Sequence, residues 1–238
     1  MSGHSKWHNI RDKKSKVDSA RGQIFTRVSK EMHMAVKEGG GDPDTNFRLK
    51  IAIQRAKDVN MPADNIKRTI EKASGAGSAD YEELLYEGYG PCGVALVIEV
   101  ATDNRNRTAA EVRNVFGKSG CSLGESGCVS WMFKKKGLFL IPKGPDEDTL
   151  MDLVLTAGAD DMESDEEGIE VTCETSSFTE VKEAIDGTKI KCESAEITWI
   201  PENTVTISEE DSAKVIKLID ALDALDDVQN VFANFEVN

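Results

Sequence analysis

Residues Val94-Ala95-Leu96-Val97-Ile98 form a near-continuous apolar run, interrupted at Glu99 and resumed at Val100. A strand with apolar side chains at successive positions has no face to give to water, so it belongs in the centre of a sheet. The longest uncharged, apolar-leaning stretch, Gly88 to Ile98, falls well short of the roughly 20 residues that span a bilayer. A preceding strand is expected over Tyr81 to Tyr89. The central run then delivers the chain to Thr102-Asp103-Asn104-Arg105-Asn106-Arg107-Thr108. Thr108 followed by Glu111 reads as a capping box, with Val112, Val115 and Phe116 as the inward stripe of a helix. Gly117 to Gly127 is expected to be a loop and Val129 to Phe133 the next strand.

Much later in the chain, Thr204 to Ile207 reads as a strand, and Asp211 or Ser212 can cap a helix that buries Val215, Ile216, Ile219 and Leu222. Val228 to Val237 returns as a strand. Joined across the gap, these pieces spell strand-helix-strand twice, the ferredoxin-like order. The gap scans similarly: a strand at Leu138 to Ile141, a helix at Leu150 to Ala157, a hairpin from Asp160–Ser164 to Ile169–Cys173, a helix around Val181 to Ile185 and a strand at Ala195 to Ile200. The expected class is therefore α+β with three domains. They are a basic helical bundle over 1–76, an α+β domain over 77–136 and 203–238, and an acidic α+β domain over 137–202 inserted into it.

Before the sheets comes a helical pattern. Ile24, Phe25, Val28, Met32, Ala35 and Val36 recur on one helical face, and Gly39-Gly40-Gly41 ends the run. Asp42-Pro43 resembles an N-cap followed by proline at the first helical position. The second helix turns Leu49, Ala52, Ile53, Ala56 and Val59 inward and Arg48, Lys50, Arg55 and Lys57 outward. A third, from Pro62–Asp64 to Gly75, buries Ile66 and Ile70 and shows Lys67, Arg68 and Lys72.

Charge divides the chain sharply. Met1 to Gly75 carries 16 Lys/Arg against 9 Asp/Glu, or +7, and the remainder 13 against 34, or -21. A cationic module on an acidic protein is an address for polyanions, because each neutralised phosphate releases condensed counterions. Lys6, Trp7, His8, Arg11, Lys13, Lys14, Lys16 and Arg21 form the principal contact set. An aromatic ring among cations can stack on a splayed base while the cations hold phosphates. The competing reading is a solvated tail with Trp7 folded onto the first helix. Arg105 and Arg107 sit before a helix start, where free N–H groups favour an anion, so they make a second phosphate site or else are held by Asp103 and Asn104 in a structural turn.

Other chemistries fail on context. Gly120-Cys121-Ser122-Leu123-Gly124 matches the nucleophile-elbow string, but it lies between helix and strand and no histidine follows His33. Glu163 to Glu174 imitates a calcium loop without the short first Asp. No phosphate-binding G-x-x-x-x-G-K-[ST] loop occurs. The five cysteines include no C-x-x-C pair, so all are expected to be reduced, and no metal or cofactor is implied. Without a secretory signal pattern the expected location is the cytoplasm.

Gly3-His4-Ser5-Lys6-Trp7, Gly41-Asp42-Pro43, Asn60-Met61-Pro62-Ala63-Asp64-Asn65-Ile66, Tyr86-Glu87-Gly88-Tyr89-Gly90-Pro91 and the Thr102–Thr108 segment together resemble the YebC/PmpR family. Its mitochondrial relative is the translational activator of cytochrome c oxidase. The likeness covers essentially the whole chain. It implies a helical domain plus two α+β domains and a non-enzymatic regulator of gene expression. That regulator is a DNA-binding transcriptional regulator or, alternatively, a ribosome-associated RNA-binding translation factor. Partners expected from these readings are DNA or RNA, the ribosome, and a protein partner for the acidic domains, with no membrane. Cys92, Cys121 and Cys128 stand where relatives carry Gly or another small residue.

Overall fold

The computed structural model describes residues 21–75 and 78–237. Three helices come first: α1 (Arg21–Gly39), α2 (Phe47–Asp58) and α3 (Ala63–Ser74). Val28, Met32, Ala35 and Val36 of α1 meet Leu49, Ala52 and Ala56 of α2 and Ile66 and Ala73 of α3 in one apolar cluster. The expected cap at Asp42-Pro43 moves to Asn46, because Asp42 and Pro43 lie in a turn whose Asp42 carbonyl accepts the N–H of Asn46. Asn46 Oδ1 accepts the N–H of Leu49 at 3.0 Å, and Nδ2 donates to the carbonyls of Ala35 and Gly40 at 2.7 and 2.8 Å. One buried amide thus starts α2 and ties it to the end of α1.

The strands are β1 (Glu82–Tyr89), β2 (Ala95–Thr102), β3 (Ser122–Leu123), β4 (Phe133–Ile141), β5 (Ala159–Ser164), β6 (Ile169–Glu174), β7 (Ser194–Pro201), β8 (Val205–Ile207), β9 (Val228–Ala233) and β10 (Phe235–Val237). The remaining helices are α4 (Arg105–Lys118), α5 (Glu147–Thr156), α6 (Phe178–Asp186) and α7 (Glu209–Asp223). One sheet runs β3-β1-β2-β9 and a second β5-β6-β4-β7, while β8 and β10 form a parallel pair. The apolar run is indeed central: β2 pairs with β1 and β9, and all but Glu99 of its residues are buried. Leu96, Ile98 and Val100 pack under α4 and α7 through Val112, Phe116, Leu218 and Leu222. Ala95 and Val97, on the opposite face, meet Val129, Phe133, Trp199 and Phe232.

Residues 133–201 alternate strand, helix, strand, strand, helix, strand in a sheet ordered β5-β6-β4-β7, the ferredoxin-like arrangement. The first sheet departs from that expectation. Val129 to Phe133 is not a strand of it: Ser130–Met132 make a 3-10 turn, and Phe133 opens β4, which runs unbroken to Ile141 in the second sheet. Its edge is instead filled by β3, whose two residues pair with Gly88 and Tyr89. The expected boundary at 136/137 accordingly falls inside β4, where Phe133 to Leu140 form one continuous antiparallel ladder with β7.

Candidate nucleic-acid interface

Arg105 and Arg107, expected before a helix start, lie in the first turn of α4, which anchors a buried network. Asn104 caps α4, accepting the N–H of Arg107 at 3.1 Å, so Thr108 lies inside the helix and is not the expected cap. Its hydroxyl, freed from capping, donates to Asp227 Oδ2 at 2.6 Å. Thr102 Oγ1 donates to the same oxygen at 2.9 Å, Arg107 donates to it at 2.6 Å, and Lys30 Nζ donates to Oδ1 at 2.7 Å. Lys30 is buried and also donates to the carbonyls of Ala101 and Asp226. Burial opposes ionisation of Asp227, but the donors Arg107, Lys30, Thr108 and Thr102 outweigh it and hold the carboxyl well below the usual carboxylate range. Arg107 in turn is raised by its hydrogen bonds to Asp227 and Asp103. Arg107 is thus committed to Asp227 and Asp103, while Arg105 remains largely exposed with Glu82 at 3.7 Å.

The cations of the helical module divide into two sets. The first faces the acidic lobes: Arg27 reaches Asp223, Lys30 reaches Asp227, Lys37 reaches Asp80, Arg48 bridges Glu38 and Glu83, and Arg55 bridges Glu31 and Glu196. The outward surface expected for Arg48 and Arg55 is corrected on this point. α1 packs on two sides, with Met32 and Ala35 toward α2 and α3, and Lys30 and His33 buried toward the first sheet. Arg27, Arg48 and Arg55 line a cleft of about 1190 Å³ between the helices and both sheets. The second set is open. Lys50, Lys57, Lys67, Arg68 and Lys72 of α2 and α3 are exposed, and among the described residues only Lys67 has a carboxylate partner, Glu71 at 3.9 Å. Lys6, Trp7, His8, Arg11, Lys13, Lys14 and Lys16 lie outside the described residues, and Arg21 is described by its backbone alone.

Asp227 carried no sequence signal, since it lies 120 residues from Arg107 and 197 from Lys30. The structural role of Glu87 was likewise not visible in the sequence, where it stands only within the Tyr86–Pro91 motif. Its buried carboxylate accepts the N–H groups of Gly127, Val129 and Ser130 at 2.8, 2.9 and 2.7 Å. Burial works against its ionisation, yet these three donors win and lower its pKa. The weak chemical motifs resolve into structure: Ser122 belongs to β3, and Asp165 Oδ1 accepts the N–H groups of Glu167 and Gly168 in the β5–β6 turn. Among the described residues no three His, Cys, Asp or Glu side chains are grouped to hold a metal ion, and no helix is long and apolar enough to cross a membrane.

The fold and surface define an α+β protein with a helical head, partly open and cationic, stapled to two antiparallel sheets. Residues 5–76 match the TACO1/YebC protein N-terminal domain, and residues 81–235 match the TACO1/YebC second and third domain. The chain belongs to the TACO1/YebC family. It is 52% identical over 241 residues to a protein of Pelotomaculum thermopropionicum named "Probable transcriptional regulatory protein", covering 100% of this chain and 99% of that one. A protein of the same name from Natranaerobius thermophilus is 49% identical, over 100% of this chain and 97% of that one. The crystal structure of the conserved hypothetical protein Aq1575 from Aquifex aeolicus superposes with a TM-score of 0.84 at 44% identity, covering 94% of this chain and 93% of that one.

Proposed function

We propose that this protein is a nucleic-acid-binding regulator of gene expression, acting in the cytoplasm by binding rather than catalysis, and that DNA is its target. The observation that carries the reading is the division of cations. Those facing the lobes are neutralised within the molecule, whereas Lys50, Lys57, Lys67, Arg68 and Lys72 stay open, and the sequence adds the basic run from Lys6 to Lys16 to the same module. An open cationic surface on a chain of net charge -14 binds a phosphate polymer locally while the acidic bulk limits indiscriminate contact. The names of the relatives above support the regulator role. In this reading 1–76 is the nucleic-acid-binding domain, the acidic insert, taken to include the whole of β4, engages a protein partner, and the remainder is their scaffold.

The test is a salt titration of binding to duplex DNA by fluorescence anisotropy. Lys13→Glu with Lys14→Glu, and separately Lys67→Glu with Arg68→Glu, weaken binding across all sequences and make the log K against log salt slope shallower by about 2. Unchanged affinity and slope in both pairs refutes the reading. A second reading, a ribosome-associated translation factor, is favoured by Trp7 standing among Lys6, His8 and Arg11, a set suited to unpaired RNA bases. Co-migration with ribosomes that survives DNase but not high salt selects it over the first.

A further inference from the structure

The cleft of about 1190 Å³ between the helices and both sheets exceeds the roughly 300–1,000 Å³ of a small-molecule pocket. Its wall is apolar with an acidic excess. Ile24, Ile51, Val59, Leu85, Ile216 and Ile219 line it, and each is only half-buried, so covering them removes further apolar area from water. Arg27 and Lys135 are balanced by Asp223 and Glu99. Arg48 and Arg55 are outnumbered. Arg48 faces Glu38 and Glu83, and Arg55 faces Glu31 and Glu196. Exposed Asp58, on the same helix, accepts only the neutral Gln54 amide among the described residues, at 2.8 Å. Two guanidinium groups against five carboxylates leave -3. Gln229 Nε2, in the same wall, has no hydrogen-bond partner among the described residues, and a carbonyl would satisfy it.

A wall of this kind repels a phosphate polymer and suits a basic peptide with apolar side chains and backbone carbonyls. The chain supplies one at the edge of the cleft. Exposed Gln23 lines the cleft and donates to the Ala224 carbonyl, where α7 ends, at 3.2 Å. The twenty residues before Arg21 therefore join the fold between α1 and the end of α7. They carry five Lys/Arg against Asp12 and Asp18, or +3, together with Trp7, Ile10 and Val17. Fully extended they reach roughly 70 Å, ample for a cleft that begins at their attachment. The tether makes docking intramolecular, at an effective concentration on the order of mM, so a weak contact fills the site and a polyanion can still draw the segment away.

We propose that the cleft is the docking site of the chain's own amino-terminal segment, its lysines on the surplus carboxylates and its apolar side chains on the apolar wall. Docked, the segment withholds Lys13, Lys14 and Lys16 from a phosphate polymer, and the polymer releases it. That second step rests on the nucleic-acid reading above; the docking does not.

Zero-length carbodiimide crosslinking of the full chain, read by peptide mass spectrometry, tests both steps, because it joins a lysine only to a carboxylate that touches it. Lys13, Lys14 or Lys16 couples to Glu31, Asp58 or Glu196 within one chain, and excess duplex DNA lowers the yield several-fold. The Lys136 to Asp160 pair, 2.8 Å apart, serves as the internal standard and does not change. Asp58→Asn with Glu196→Gln, which leaves Arg55 paired with Glu31, removes the crosslinks and tightens DNA binding about threefold by freeing the segment. Glu209→Gln with Glu210→Gln, an equal charge change on exposed α7 positions, tightens it less. Formation of the standard without any crosslink into the cleft overturns the proposal and leaves the nucleic-acid reading standing. Crosslinks only between isotopically mixed chains overturn it by assigning the cleft to a second copy. Cleft crosslinks that persist while anisotropy shows DNA bound overturn the release. If the chain binds no DNA, the nucleic-acid reading falls and the cleft crosslinks still uphold the docking.

Discussion

Replacing Asp227 by Asn tests the buried network that joins the helical head to the first sheet. The carboxylate is 3% exposed and receives Lys30, Thr102, Thr108 and Arg107 within 2.9 Å. Asparagine keeps the shape and one acceptor but leaves the Lys30 ammonium buried beside a neutral group. Removing one partner of a buried ion pair costs about 3–5 kcal/mol, and because the amide oxygen still accepts, the lower end applies: about 3 kcal/mol. For a chain of this size that lowers the unfolding midpoint by roughly 6–12 °C. Urea denaturation followed by circular dichroism at neutral pH measures the loss directly. Lys30→Met removes the charge from the other side, and the double variant should lose about 2 kcal/mol less than the sum of the singles. The pH dependence carries a definite sign. Asp227 titrates lower in the folded protein than the unfolded value of about 3.9, so its stabilisation is complete above that value and fades as pH falls toward the folded pKa. The Asn variant therefore shows a flatter loss of stability below about pH 4. A loss under about 1 kcal/mol, or full additivity with Lys30→Met, refutes the network as the staple.

Asn46→Ala removes an N-cap and two bonds to α1, and costs about 2 kcal/mol in the same denaturation assay. Gly137→Ala places a Cβ 2.6 Å from Cys173 Sγ and 2.7 Å from Phe178 Cδ2, so the second sheet loses about 1–3 kcal/mol to overpacking. Glu87→Gln turns an amide N–H₂ toward backbone donors and costs about 2 kcal/mol, with faster amide hydrogen exchange at Gly127, Val129 and Ser130 as the local readout.

The helices and most strands were legible because their signals are local. The apolar stripes of α1 and α7 and the run in β2 each mark a buried face within one element. Errors fell where a local pattern had two solutions. Thr108 with Glu111 fits a capping box, but Asn104 lies where its side chain can reach the Arg107 N–H, and the helix starts there instead. Val129 to Phe133 has strand composition, yet the Glu87 carboxylate gathers its N–H groups and folds it into a turn.

Composition and periodicity alone determined that this is an α+β chain, with a cationic helical head and acidic sheet-bearing lobes, because hydrophobic period and charge are properties of short stretches. Which arginines and lysines stay open was decided only by the tertiary structure. Lys30 and Asp227 are 197 positions apart, and Arg55 and Glu196 are 141. Ion pairs of that kind exist only once the lobes have docked. A charge count along the chain cannot tell a cation facing solvent from one already neutralised by a distant carboxylate, since the two differ in contact and not in chemistry.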